Sequence, residues 1–212
     1  MKNYLFDFDG TLIDSMPTFV SVMLGVLDKH GIKYDSDIVK TLTPLGLLGS
    51  ARYFRDLGID KSEEEICEII MAGMREEYAL RIPAKDKVTE TLRSLYESGA
   101  RLHILTASPH ENLDPCLMRL GLSELFDNVW SCDDFGTTKA DPEIYKRVAE
   151  LIGAAPSDII FVDDNYNADM TARSAGMRVY GIYDPSSAEY ESDMRRDCDA
   201  YLENISDILD LK

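Results

Sequence analysis

Short apolar runs alternate with amphipathic stretches along most of this chain. Residues 4–6, Tyr-Leu-Phe, form an apolar run that predicts a short buried strand. Residues 102–106, Leu-His-Ile-Leu-Thr, and 159–164, Ile-Ile-Phe-Val-Asp-Asp, repeat the pattern, the third run ending in paired carboxylates. From residue 88 onward helix and strand signals alternate. A helix over 88–96 stops at Gly99, and the strand ending at Thr106 follows. A helix over 112–120 leads to a short strand at 128–132, and a helix over 142–152, closed by Gly153, leads to the strand ending at Asp163. A helix over 168–175, ended by Gly176, precedes a last or next-to-last strand at 178–182. Such alternation predicts an α/β fold built on a doubly wound parallel sheet.

The gap between the first two strands interrupts this rhythm. A parallel crossover needs about a dozen residues, yet the chain runs from Gly10 to Arg101 before the second strand begins. Phe19, Met23, Val26 and Leu27 fall at helical spacing, with Gly31 placed to end that helix. Ser62 and Glu65 make a capping-box pattern, followed by Ile66, Ile69, Ile70, Met74 and Tyr78 on one stripe. Residues 15–80 are therefore expected to form a small helical domain inserted after the first strand. Residues 1–14 and 81–212 would make the α/β core, with hinges near Asp14-Ser15 and Arg81-Ile82-Pro83.

Composition narrows the class of protein. The chain has 212 residues, enough for one or two domains with ample core. Its formal net charge of −17 argues against nucleic acid or an anionic membrane as a partner, and names no substrate. An acidic, solvated surface that keeps the chain soluble accounts for it. The sequence has no run of apolar residues long enough to span a bilayer, and Met1-Lys2-Asn3 leads straight into the first strand. Cys67, Cys116, Cys132 and Cys198 lack short paired spacing, as expected of reduced thiols in a cytoplasmic protein.

The candidate chemistry lies at the predicted strand ends. Residues 7–15 read DFDGTLIDS. In extended chain, side chains two apart point the same way, so Asp7 and Asp9 would project together. Gly10 permits a sharp turn, and Thr11 can cap or brace it. Two adjacent carboxylates repel unless a cation or a shared proton intervenes. The pair fits a nucleophile beside a proton-moving carboxylate, or an acidic turn after a core strand. Ligands of parallel α/β sheets sit at the carboxyl ends of the strands. Asp7, Asp9, Thr106, Asp163 and Asp164 fall there, with Lys139 just before the helix start Asp141-Pro142-Glu143. These groups would ring one point.

This set, in this order, resembles the haloacid dehalogenase superfamily of phosphohydrolases. The resemblance rests on DFDGTLIDS, on ILTAS at 104–108, on KADPEIY at 139–145 and on FVDDN at 161–165. It implies an α-helical cap at residues 15–80 that closes over the phosphate, and Asp7 as a nucleophile that becomes an aspartyl-phosphate. Asp9 would protonate the leaving oxygen and then activate water. Thr106, Ala107 and Lys139 would bind the phosphate. Asp7, Asp9, Asp163 and Asp164 form the implied metal set. Relatives commonly carry proline where Ala140 stands, a change expected to alter only loop stiffness. A carboxylate attacking phosphate meets like charge, and Lys139 is one cation among four acids, so the site calls for a hard divalent cation such as Mg²⁺. His30, His103 and His110 are scattered and predict structural or surface roles. Asp169 fits either a further metal ligand or an acid favoured at a helix start.

The expected activity is Mg²⁺-dependent hydrolysis of a small phosphorylated metabolite. A β-phosphoglucomutase-like mutase is the nearest rival; such mutases carry a histidine on the first cap helix, where Phe19 stands here. DSMP at 14–17 looks more like phosphoglycolate phosphatase. A 2-haloacid dehalogenase uses the nucleophile without metal, and a phosphorylated receiver module lacks an inserted cap. The segment 43–49, Thr-Pro-Leu-Gly-Leu-Leu-Gly, could face the site, with Lys40 and Arg52 the closest cations. Arg52 could reach a substrate or serve on a helix surface.

Overall fold

The computed structural model describes residues 2–35, 37–42 and 45–211, without the Lys40 side chain. Met1, Thr43, Pro44 and that side chain, all named above, lie outside the described residues. The chain divides into two compact units, Ser15–Ile82 and the combination of Met1–Asp14 with Pro83–Lys212.

The larger unit is a six-stranded parallel sheet. Its strands are β1 (Asn3–Phe6), β2 (Arg101–Thr106), β3 (Asn128–Ser131), β4 (Ile159–Asp163), β5 (Arg178–Ile182) and β6 (Ala200–Leu202), in the order β3-β2-β1-β4-β5-β6. β1 lies at the centre, where the strand order reverses and α/β sheets bind their ligands. Phe6 stands opposite both Ile104 and Val162, so the carboxyl ends of β1, β2 and β4 lie side by side. β5 is therefore the next-to-last strand; the three residues of β6, Ala-Tyr-Leu, are too few to show a period of their own.

Along this sheet the helices are α5 (Val88–Glu97), α6 (His110–Leu120), α7 (Pro142–Ile152), α8 (Tyr166–Ser174) and α9 (Glu191–Asp197), numbered after the four among the described residues of the smaller unit. Leu5, Phe161 and Val179 pack with Ile144, Tyr145, Val148 and Ala172 of α7 and α8 in a core that excludes water. Tyr145 and Phe161 meet edge to face at 5.2 Å. α8 starts two residues before its expected position because Asn165 caps the amides of Asn167 and Ala168. His103 is buried in β2, bonded to Asn128 and stacked on Trp130, which is a structural role.

The smaller unit contains α1 (Met16–Lys29), α2 (Ile38–Leu42), α3 (Gly46–Asp56) and α4 (Glu63–Leu80). α1 begins ahead of Phe19, with Pro17 in its first turn. The capping box forms: Ser62 Oγ accepts from the Glu65 amide at 3.1 Å, and Glu65 Oε2 from the Ser62 amide at 2.8 Å. Ile66, Ile70, Met74 and Tyr78 are buried as the stripe requires, while Ile69 is half-buried. α4 packs on both α1 and α3. Among the described residues no helix is long and apolar enough to cross a membrane.

Gly73 lets α4 pack closely on α1, since a Cβ there would lie 2.8 Å from Val22 Cγ1. Overpacking against a stiff β-branched side chain costs about 1–3 kcal/mol and outweighs the roughly 1 kcal/mol gained in helix propensity. Gly73→Ala is therefore expected to destabilise the protein in urea denaturation, and adding Val22→Ala should recover the loss. An unchanged or raised midpoint for the single variant would refute this packing account.

Candidate active site

The backbone delivers Asp7 directly from β1. Its amide donates to the Val162 carbonyl at 2.9 Å, continuing the ladder one residue beyond Phe6 and bringing Asp7 level with Asp163. Asp164 follows at the start of the loop into α8. One oxygen from each of Asp7, Asp163 and Asp164 lies within 4.8 Å of the others, and all three residues are buried. Lys139 reaches them from the segment ahead of α7, whose start is capped by Asp141. Its ammonium donates to Asp7 Oδ1 and, at 2.8 Å, to Asp163 Oδ2. Tyr145 holds the Lys139 carbonyl at 3.1 Å, fixing the base of that arm.

Crowding like charges in a dry site has a cost that shows in their acidities. Burial pushes the Asp7 carboxyl well above its usual range; Lys139 opposes the shift, while Asp163, Asp164 and Asp9 add to it. Burial, Asp163 and Asp184 push Asp164 up to about 7, against the pull of Lys139 and Lys85. Burial alone would lower the Lys139 ammonium, but Asp163 and Asp7 more than reverse that and hold it charged. With all three carboxylates ionised, one ammonium would leave two negative charges unbalanced. The donors are all hard oxygens, with no thiolate or imidazole in the group. This set fits one hard divalent cation.

Asp9 takes a different position from Asp7. It is half-buried, outside the three-carboxylate group, and its Oδ2 accepts from Ser108 Oγ at 2.6 Å. The Asp9 charge is still felt at Asp7, whose carboxyl it helps to push up. Ser108 had been no more than part of the ILTAS match, without a role of its own. Thr106 is buried at the end of β2, where its Oγ1 accepts from the Ser108 amide at 3.0 Å, and Ala107 is exposed next to it.

Thr11 braces more than its own turn. Its hydroxyl donates to Asp164 Oδ1 at 3.2 Å and accepts from the Asp164 amide at 3.2 Å, locking the first loop to the end of β4. Asp169, buried in the first turn of α8, accepts from Cys198 Sγ at 3.4 Å through Oδ2, and its Oδ1 has no partner. It stands outside the three-carboxylate group. His30 and His110 are equally separate: His30 bonds the Val26 carbonyl, and His110 bridges Asp114 and Asp134. In the smaller unit, Arg52 is exposed and paired with Glu63 at 3.3 Å, the surface arrangement. All four cysteines are free.

A family model described as haloacid dehalogenase-like hydrolase matches residues 1–176. Pyrophosphatase PpaX of Bacillus velezensis is 30% identical over 179 residues, covering 84% of this chain and 81% of that protein. The chain belongs to the haloacid dehalogenase-like hydrolase family. A Thermotoga maritima structure put forward as a β-phosphoglucomutase shares the fold with a TM-score of 0.84 at 23% identity, covering 100% of this chain and 98% of its own. A Haemophilus somnus protein predicted to be a phosphoglycolate phosphatase superposes with a TM-score of 0.81 at 21% identity, covering 100% and 97%.

Gly10 holds this geometry through the absence of a side chain. Its φ is +78°, and a Cβ would fall 2.7 Å from Asp164 Oδ2. Left-handed backbone strain and the clash together predict a loss of about 2 kcal/mol or more for Gly10→Ala, read from chemical denaturation. A variant as stable as the wild type would show that the loop has room to spare.

Proposed function

We propose that this protein is a Mg²⁺-dependent phosphatase that hydrolyses a small phosphorylated metabolite through an aspartyl-phosphate on Asp7. The observation that carries this reading is the Lys139 ammonium shared between Asp7 and Asp163 inside a buried group of three carboxylates. The identity to a pyrophosphatase supports phosphoryl chemistry. We place the reaction in the cytoplasm, which suits four free cysteines.

Lys139 engages Asp7 Oδ1, which directs Oδ2 to the phosphorus. The new O–P bond forms as the bond to the leaving oxygen breaks, and Asp9 gives that oxygen its proton. Asp9, now a carboxylate, takes a proton from water. The water oxygen attacks the phosphorus, releasing inorganic phosphate and restoring Asp7. Ser108 orients Asp9 for both transfers. Thr106, the Ala107 amide and Lys139 bind the phosphoryl oxygens. Asp7, Asp163 and Asp164 would hold Mg²⁺, which when bound offsets the charge that gathers on those oxygens. Asp9, expected among the metal ligands, lies outside the three-carboxylate group and bonds Ser108, which favours proton transfer as its side-chain role. Discrimination among leaving groups is assigned to the helical unit Ser15–Ile82, because Thr106, Ala107 and Lys139 address only the phosphoryl oxygens. Phe19 in place of the mutase histidine favours hydrolysis over phosphoryl transfer to a sugar.

Hydrolysis of an aryl phosphate is expected to vanish with a chelator, return with Mg²⁺ and return poorly with Ca²⁺, whose larger shell suits the site less. With labelled substrate, Asp7→Asn should form no phospho-enzyme, whereas Asp9→Asn should accumulate it. Full activity in chelator, or an active Asp7→Asn protein, would overturn the reading.

Lys139→Ala should reduce turnover of every phosphate ester by about 10²–10³, the range typical for loss of a donor to developing charge. Selective loss with one substrate would instead make Lys139 a recognition residue.

A further inference from the structure

A second lysine, outside the set already described, grips the loop that carries the acid–base residue. Segments 12–14 and 83–85 pair beside the sheet: Asp14 N donates to the Pro83 carbonyl, Lys85 N donates to the Leu12 carbonyl, both at 3.0 Å, and Ile13 bridges Ala84. From this pairing the Lys85 side chain reaches inward, about one-fifth exposed. Its ammonium donates to the Gly10 carbonyl at 2.5 Å, the Tyr183 carbonyl at 2.9 Å and Asp184 Oδ2 at 3.0 Å. Three N–H donors meet three acceptors, so no donor remains for a substrate. Asp184 is 2% exposed, and its Oδ1 accepts from the amide and hydroxyl of Ser186. The cation is thus held in place by a carboxylate that is itself fixed.

The acceptor matters most. Gly10 joins Asp9 to Thr11, its amide donates to the Ile13 carbonyl at 3.0 Å, and its Cα lies against the Asp164 carboxylate. The Lys85 bond adds the carbonyl, so the residue is restrained at its nitrogen, its Cα and its oxygen. A shift of that carbonyl would turn the adjoining peptide, carrying Thr11 away from Asp164 on one side and Asp9 from Ser108 on the other. Lysine suits the task because a compact ammonium can address acceptors in three directions, which a planar guanidinium cannot.

We propose that Lys85, held by Asp184, is a positioning residue for the active site, fixing the Gly10 carbonyl and through it the placement of Asp9 and the Thr11–Asp164 contact. The catalytic consequence rests on the phosphatase reading above; the mechanical one does not. An ion pair serving stability alone would behave differently, and the difference is measurable.

Lys85→Met strands a buried carboxylate and could unfold the protein, so the informative protein is the double variant Lys85→Met/Asp184→Asn, which removes both charges. It is compared with the wild type by thermal melting, by hydrogen exchange of the amides of residues 8–13, and by aryl phosphate kinetics across a Mg²⁺ titration. The expected double variant melts within a few degrees of the wild type, yet residues 8–13 exchange faster and kcat falls about tenfold with KM little changed, the pattern of misplaced catalytic groups. Its half-saturating Mg²⁺ concentration should rise, since Gly10 packs on Asp164. Wild-type exchange and wild-type kcat in a folded double variant would overturn the proposal, leaving Lys85 as an ion-pair partner only. A raised KM with unchanged kcat would also overturn it, by placing Lys85 on the substrate. If the wild type itself cleaves no phosphate ester, the phosphatase reading fails, and the exchange comparison still decides whether Lys85 holds the loop.

Discussion

One buried ammonium sets the terms for everything around it. Lys139 lies between Asp7 and Asp163, two carboxylates that parallel pairing of β1 and β4 forces to the same level. Without that cation the strand ends would repel, and with it alone the group remains short of positive charge. The site is consequently built to be completed by whatever brings positive charge and oxygen-coordinating capacity together. Its supports follow from the same need. Tyr145 steadies the arm that carries Lys139, Thr11 ties the first loop to Asp164, and Ser108 holds the Asp9 carboxylate.

Much of this was legible before any coordinates, and for a definite physical reason. Strands such as 159–163 are buried on both faces and show as unbroken apolar runs, so their ends are sharply marked, and in a parallel sheet the ends are where ligands bind. Asp7, Thr106, Lys139, Asp163 and Asp164 could be read off as strand-end or helix-start residues for that reason. The seams that failed were local ones. β6 is too short to carry a period, α2 spans only five residues, and α3 has no side-chain cap like that of α4.

The long-range polar contacts were illegible in a different way. Thr11 meets Asp164, Ser108 meets Asp9, and Lys85 meets Asp184 across separations of 153, 99 and 99 residues. No periodicity announces such a pair, because each partner is an ordinary polar residue until the sheet order brings it to its mate. Gly10 gave half of the answer: its turn was evident, but the Asp164 carboxylate lying where a side chain would go was not.

The pairing of residues 12–14 with 83–85 has a consequence for how this chain can change over time. The two points where the polypeptide leaves and rejoins the α/β unit are hydrogen-bonded neighbours, Asp14 to Pro83 and Leu12 to Lys85. To the sheet, everything between them is a loop whose ends are already closed, and the entropy of closing a loop grows only slowly with its length. Segments can therefore be lengthened, shortened or exchanged between these anchors without asking the strand ends to move. The junction thus lets the helices between residues 14 and 83 vary without disturbing the carboxylates at the strand ends.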